Sequence, residues 1–122
     1  MNTRAFGQLA ESVAARDLTN LGYRMLERNV RLGRGELDLV AMAGEVLVFC
    51  EIKARRSPAT GEPGESIDSR KQARLILLAE EYLRRHPELT PYPCRFDAVL
   101  VWREGGFWYT EVIADAFRPG WE

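Results

Sequence analysis

Two carboxylates and a lysine carry the chemistry legible in this chain: Asp38, Glu51 and Lys53. Glu51 and Lys53 follow the apolar run VLVFC at residues 46–50 and stand two apart. On a strand they therefore emerge on one face, about 6.5–7 Å apart along it. Asp38 belongs to the stretch ELDLVAM at residues 36–42, joined to that strand by a tight AGE connection at residues 43–45. If the two stretches pair as a hairpin, Asp38 and Glu51 come within reach of one ion. Converging carboxylates are hard oxygen ligands and suit Mg²⁺ or Mn²⁺. Alternation alone also allows a plainer arrangement, with all three as solvent-facing charges opposite an apolar face. The apolar block before Glu51 argues against it. A strand covered on both faces has no solvent side, so charges there must be paired, bind a metal or line a cleft.

Of the 17 basic residues only Lys53 and Lys71 are lysine, against 15 arginines. Where arginine is the default, a lysine marks a place that needs a compact ammonium rather than a planar guanidinium.

The elements that must position these residues follow from periodicity. Residues 4–21 read as a helix, with Phe6, Leu9, Ala10, Val13, Ala14, Leu18 and Leu21 at three- and four-residue spacing. Asn2 or Thr3 can cap it and Gly22 can stop it in the left-handed region. Glu11 falls on the margin of the apolar stripe, and Asp17 near its middle, where it needs a helix edge or a buried partner. Residues 23–30 alternate poorly and predict a short strand or one at a sheet edge. In the next strand, Leu37 and Leu39 are expected on one face, Glu36 and Asp38 on the other. After residues 46–54, the segment RRSPATGEPGE at 55–65 lacks periodicity and reads as a mobile loop. A second helix is expected over residues 69–85, with Ser69 and Gln72 as a capping box and Pro87 beyond its end. Strands at 95–102 and 107–113 complete the chain. The order helix, three strands, helix, two strands predicts an α/β or α+β sandwich on a mixed sheet, and the connection through helix two predicts a parallel return.

Composition bounds the function. At 122 residues, 46% hydrophobic and 29% charged, the chain is expected to form one soluble domain. No apolar run reaches membrane-spanning length and the start lacks a signal-peptide block, so the expected address is the cytoplasm, without a membrane partner. A net charge of −1 offers no global case for nucleic-acid binding, although the first 35 residues carry a local excess of +3. Cys50 and Cys94 lack the paired spacing of a zinc site and are expected to behave as small hydrophobes.

Around the central three, Lys71 and Gln72 fall in the first turn of helix two, where free backbone donors attract phosphate; a solvated helix end is the other reading of Lys71. Arg55 and Arg56 open the loop beside the site, where their guanidiniums suit sequence-blind contacts to phosphate. Arg95 and Asp97 read as a structural pair. Trp102, Phe107, Trp108 and Trp121 are expected in core or interface rather than as base-stacking surfaces.

The ordered pieces G-E-L-D at 35–38 and E-I-K at 51–53 resemble the D…(D/E)-x-K signature of the restriction-endonuclease-like nuclease superfamily. More narrowly, Gly7 with Glu11 and Ala14, Leu21-Gly22-Tyr23, Arg28-Asn29, residues 35–39 and 48–53, Lys71, Arg95-Phe96-Asp97 and Ala116-Phe117 resemble the YraN family of small bacterial proteins, itself similar to archaeal Holliday-junction resolvases. Leu37 stands where the wider superfamily often has proline, and Ala54 where the family more often has a hydroxyl residue. The resemblance implies a restriction-endonuclease-like three-layer sandwich over residues 1–122, with a five-stranded mixed sheet between helices. It implies a metal-dependent endonuclease acting on branched or single-stranded DNA in repair or recombination. Asp38, Glu51 and Glu11 would hold Mg²⁺ or Mn²⁺, with the Ile52 carbonyl as a further ligand. Lys53 would steer or deprotonate water, and Glu36 would support. Junction resolution, which needs two cuts, would call for a homodimer. The competing expectation is a non-catalytic DNA-binding or protein-interaction module on the same scaffold.

Overall fold

A computed structural model describes residues 2–33, 35–55 and 67–118. Arg56, Trp121 and almost all of the predicted loop lie outside those residues. Helix α1 spans Thr3–Asn20, strands β1, β2 and β3 span Arg24–Leu32, Gly35–Ala43 and Val46–Arg55, helix α2 spans Ser69–Arg85, and strands β4 and β5 span Cys94–Glu104 and Phe107–Phe117. A 3₁₀ turn at Pro87–Leu89 follows α2. The strands form one sheet in the order β1-β2-β3-β4-β5, antiparallel except for the parallel β3–β4 pair. The α/β sandwich, its mixed five-stranded sheet and the parallel crossover through α2 are as expected.

Each helix covers one face. Ala10, Val13, Ala14 and Leu18 of α1 pack with Leu39, Val48, Cys50, Val99 and Val101. Leu75, Leu78, Ala79 and Tyr82 of α2 pack with Val40, Met42, Leu47, Phe49 and Phe96. This explains the unbroken apolar run at residues 46–50: β3 is central, and consecutive residues bury against opposite helices. Gly35 permits the close approach of β2 to α2, since a Cβ there would sit 3.0 Å from the Leu78 side chain.

The caps differ in detail from the sequence pattern. Asn2 accepts the Ala5 N–H at 2.8 Å, and Gly22 adopts φ 101° after α1. Helix α2 is capped by Asp68, not Ser69: the Asp68 carboxylate accepts the Lys71 N–H at 2.9 Å. Gln72 is no capping-box partner and donates to the Ile67 carbonyl at 3.1 Å. Leu9 is exposed rather than part of the stripe, and Asp17 finds its partner in Thr110 of β5, whose hydroxyl donates to it at 2.8 Å.

β1 is an edge strand, as its weak alternation suggests, but it is nine residues long. Its alternation is poor because the pleat is interrupted. Val30 and Leu37, partners in register, pack on the α2 side, while Leu39 packs on the α1 side and its partner Arg28 donates to Ser12 of α1. Residues two apart normally share a face. Both strands therefore change face between these rows, at Asn29 and Asp38. Asn29 supplies the irregularity with a left-handed φ of 53°. The expectation that Leu37 and Leu39 share a face thus fails at Asp38.

Candidate active site

Asp38 sits where β2 and β3 part. Their ladder ends at Leu39 opposite Cys50. One step beyond, the Asp38 side chain takes the place of a backbone acceptor: Ile52 N–H donates to its Oδ2 at 2.8 Å. That bond holds the carboxyl beside Glu51, with which it is in hydrogen-bonding contact. Burial is the largest cause that raises the Asp38 pKa, to about 8; the hydrogen bond to Glu51 and the Glu51 charge act in the same direction, the Ile52 N–H opposes, and the charge of Glu11 adds a smaller push.

Glu51 is only 7% exposed. The cation that compensates it is Lys71, whose Nζ lies 2.7 Å from Glu51 Oε2. Lys71 is therefore neither a solvated helix end nor a peripheral contact, but the ion-pair partner of Glu51. Burial works against its charge, yet the bonds to Glu51 and Lys53 hold its pKa above the ordinary lysine value. Lys53 moves the other way, lowered by burial and then by the neighbouring Lys71 ammonium. Of the two lysines, Lys53 is the one disposed to give up or accept a proton.

Glu11 and Glu36 form an outer pair. With its amide NH₂ turned toward them, the orientation that the surrounding acceptors require, Asn29 donates to Glu11 Oε1 at 3.0 Å and to Glu36 Oε1 at 2.9 Å. The Glu11 pKa is raised by burial against the Asn29 hydrogen bond, with Glu36 pushing upward and Arg28 downward. Glu11 thus reaches Asp38 through its charge, while its carboxylate is engaged by Asn29. Sequence reasoning gave Asn29 no role of its own; its signal was asparagine's tolerance of left-handed backbone. Arg55 ends β3 two residues past Lys53 on the same face. Gln72, held by Ile67, supports the start of α2 rather than the carboxylates.

Among the described residues no group of three or more His, Cys, Asp and Glu side chains could hold a metal ion by itself. What the site offers is two carboxylates. Mg²⁺ is commonly held by one or two carboxylates, with waters and substrate phosphates filling the other positions, so this donor set fits a hard divalent ion. The location agrees with the general preference for ligands at the carboxyl ends of parallel strands, since Glu51 to Arg55 end β3 and Lys71 opens α2.

Asp97, by contrast, is fully engaged by partners of its own. Arg95 Nε donates to its Oδ1 at 2.8 Å and Arg95 NH2 to its Oδ2 at 3.0 Å, Tyr23 O–H to Oδ2 at 2.8 Å, and Asp115 N–H to Oδ1 at 2.9 Å. The predicted Arg95–Asp97 pair is structural.

The family model for UPF0102, an uncharacterised protein family, matches residues 10–101. This chain belongs to the UPF0102 family. A UPF0102 protein of Magnetococcus marinus is 47% identical over 121 residues, covering 99% of this chain and 98% of the relative. One from Moorella thermoacetica is 46% identical over 119 residues, covering 96% and 98%. The UPF0102 match spans Glu11, Asp38, Glu51, Lys53 and Lys71, and the YraN-family resemblance is thereby borne out. No helix among the described residues is long and apolar enough to cross a membrane.

Proposed function

We propose that this chain is a metal-dependent endonuclease that hydrolyses phosphodiester bonds in branched or otherwise structured DNA. One observation carries the reading: the Asp38–Glu51 carboxyl pair, Asp38 half-buried and Glu51 buried, with Lys71 bonded to Glu51 and Lys53 beside Lys71, at the mouth of the sheet. Structure alone gives little reason for a half-buried and a buried acid to face each other, and perturbed titration in a cleft is a mark of functional sites. The resemblance to the D…(D/E)-x-K nucleases supplies the reaction class.

Asp38 and Glu51 would hold the divalent ion, which when bound polarises the scissile phosphate and eases deprotonation of the attacking water. The Ile52 N–H fixes the Asp38 rotamer. Lys53, its pKa lowered by burial and by Lys71, would accept a proton of the water at Nζ as the water oxygen bonds to phosphorus; the phosphorus–ester bond breaks and the leaving oxygen takes a proton from bulk water to depart as an alcohol. Lys71 orients Glu51 and presents positive charge toward the phosphate from the first turn of α2. Arg55 extends that cationic border along β3. Glu11, Glu36 and Asn29 form a rim that keeps the field at Asp38 negative.

A non-catalytic DNA-binding or protein-interaction module is the second reading, favoured by the overall charge of −1. Cleavage of four-way-junction, flap and single-stranded DNA with Mg²⁺ or Mn²⁺ separates the two. The wild type should cut at least one of these substrates, and Glu51→Ala should lower the rate by about 100-fold or more. If neither protein cuts while both bind DNA equally, the catalytic reading falls. Calorimetry should show Mn²⁺ binding that Asp38→Ala abolishes.

A further inference from the structure

The face of the sheet that carries Glu51, Lys53 and Arg55 does not end at β3. In register, Lys53 neighbours Leu100 and then Glu111, while Arg55 neighbours Trp102 and then Tyr109. Alternation places Trp102 on the face of Phe96 and Ala98, and Tyr109 on that of Ile113, all of which pack on the α2 side. Helix α2 lies chiefly over β1 and β2, so β4 and β5 extend past it. Trp102 and Tyr109 form a near-parallel pair, with ring centroids 5.8 Å apart and 17° between planes. Tyr109 is 42% exposed and Phe107, beside them, 69%. Trp108 faces the other way, 5.2 Å from Phe6 of α1. Of the expected core-or-interface role, packing within the fold fits Trp108, whereas Phe107 is not in the core.

We propose that Trp102 and Tyr109 form a stacking platform for an unpaired nucleobase of the DNA strand whose phosphate lies at Glu51 and Lys53. This rests on the nuclease reading and narrows its substrate to DNA with a single-stranded segment beside the cut. Strand spacings put the Trp102 Cα about 14 Å from that of Glu51, within reach of a short run of extended strand. Charge polarises the surface in the same sense. Lys53 and Arg55 border the platform on the β3 side, whereas Glu111 lies on β5, opposite Leu100, and Glu104 closes β4 opposite Phe107. A phosphate backbone is thus favoured along β3 and repelled from β5, which leaves the uncharged base to lie over the rings. Flat aromatic surfaces bind bases irrespective of sequence because every base has a π face. Trp102 and Tyr109 fall outside the matched residues 10–101, so family membership does not assign them this role.

The test is anisotropy titration of single-stranded, flap and fully paired oligonucleotides without divalent ion, so that cleavage is silent. Tyr109→Ala and Trp102→Ala should each weaken single-strand and flap binding about ten-fold, with duplex binding changed less than about two-fold. Trp102→Phe should retain affinity, and 2-aminopurine in the single strand should be quenched by the wild type but not by the alanine variants. If Trp102→Ala does not fold, Tyr109→Ala carries the test, since Tyr109 lies on the surface. Unchanged single-strand affinity, or equal loss on single strand and duplex, overturns the platform; a wild type that still cuts with Mn²⁺ then leaves the nuclease reading standing. Platform-dependent binding without cleavage under Mn²⁺ supports the platform and overturns the nuclease reading. Absence of any oligonucleotide binding overturns both.

Discussion

Asp97 and Asp38 flank the central strand from opposite sides. Asp97 lies beside Cys50 on β4, and Asp38 lies one step beyond Leu39, the partner of Cys50 on β2. Both acids are withdrawn from water, and the chain treats them in opposite ways. Asp97 receives a guanidinium, a backbone N–H and the Tyr23 hydroxyl, whose proton is held by burial and by Asp97 itself, its pKa pushed up to about 12. Asp38 receives one backbone N–H and another carboxyl. Among the described residues no buried side-chain nitrogen or oxygen lacks a hydrogen-bond partner. The contrast is therefore one of charge, not of satisfaction: one acid is neutralised permanently by the fold, the other by a proton that a cation can replace.

The largest effect should come from breaking the neutralised side. Asp97→Ala leaves Arg95, Tyr23 and the Asp115 N–H facing an empty site, and should cost about 3–5 kcal/mol in urea unfolding. A loss below about 1 kcal/mol would mean that the cluster is not what joins β4 to Tyr23, after α1, and to β5. On the other side, Lys71→Met strips Glu51 of its cation and should cost about 1–3 kcal/mol at pH 8. Because Asp38 and Lys71 both act through Glu51, the double variant Asp38→Asn/Lys71→Met should deviate from additivity; simple additivity would show that the pair and the lysine do not share it.

Asp38→Asn should behave in the reverse sense. The wild-type carboxyl titrates near 8 in the fold and near 3.8 as an ordinary aspartate, so the folded state keeps a proton that the unfolded chain has lost. Its contribution is fully present below pH 4 and is lost as the pH rises toward 8. Asn keeps an acceptor for Ile52 N–H and has no such dependence. Between pH 5 and 8, in chelator, the variant should therefore gain at least about 1 kcal/mol on the wild type, since one pKa unit corresponds to about 1.4 kcal/mol. Identical pH dependence of the two proteins would break the comparison. A gain accompanied by loss of Mn²⁺ binding would show stability being sacrificed at a functional position.

The neutralised side was the more legible one in the sequence. Arg95 and Asp97, two apart on a clearly alternating strand, declare their pairing, and the hairpin of β2 and β3 declares that Asp38 and Glu51 meet. Regular periodicity made the sandwich and its parallel crossover readable for the same reason. What stayed hidden depended on breaks in that periodicity. The change of face at Asn29 and Asp38 moves Leu37 to the α2 side, and no alternation pattern announces it. Lys71 was visible as one of two lysines, but its bond to Glu51 arises across the crossover, from a helix start that Asp68 rather than Ser69 fixes.

The smallest effect isolates the break itself. Asn29 combines a left-handed backbone with an amide donated to Glu11 and Glu36. Asn29→Gly removes the donor but relaxes the backbone, so the two changes should offset to within about 0.5 kcal/mol. Asn29→Ala removes the same donor and adds a Cβ in the left-handed region, and should cost about 1 kcal/mol more than glycine. That alanine-to-glycine difference, read by urea unfolding, measures the backbone alone. Equal stability of the two variants would mean that residue 29 does not impose the kink, and that the reversal is driven from β2, by Asp38 reaching for Ile52. A clear difference would place its origin on the edge strand, at the residue that also ties the two outer acids to the pair within.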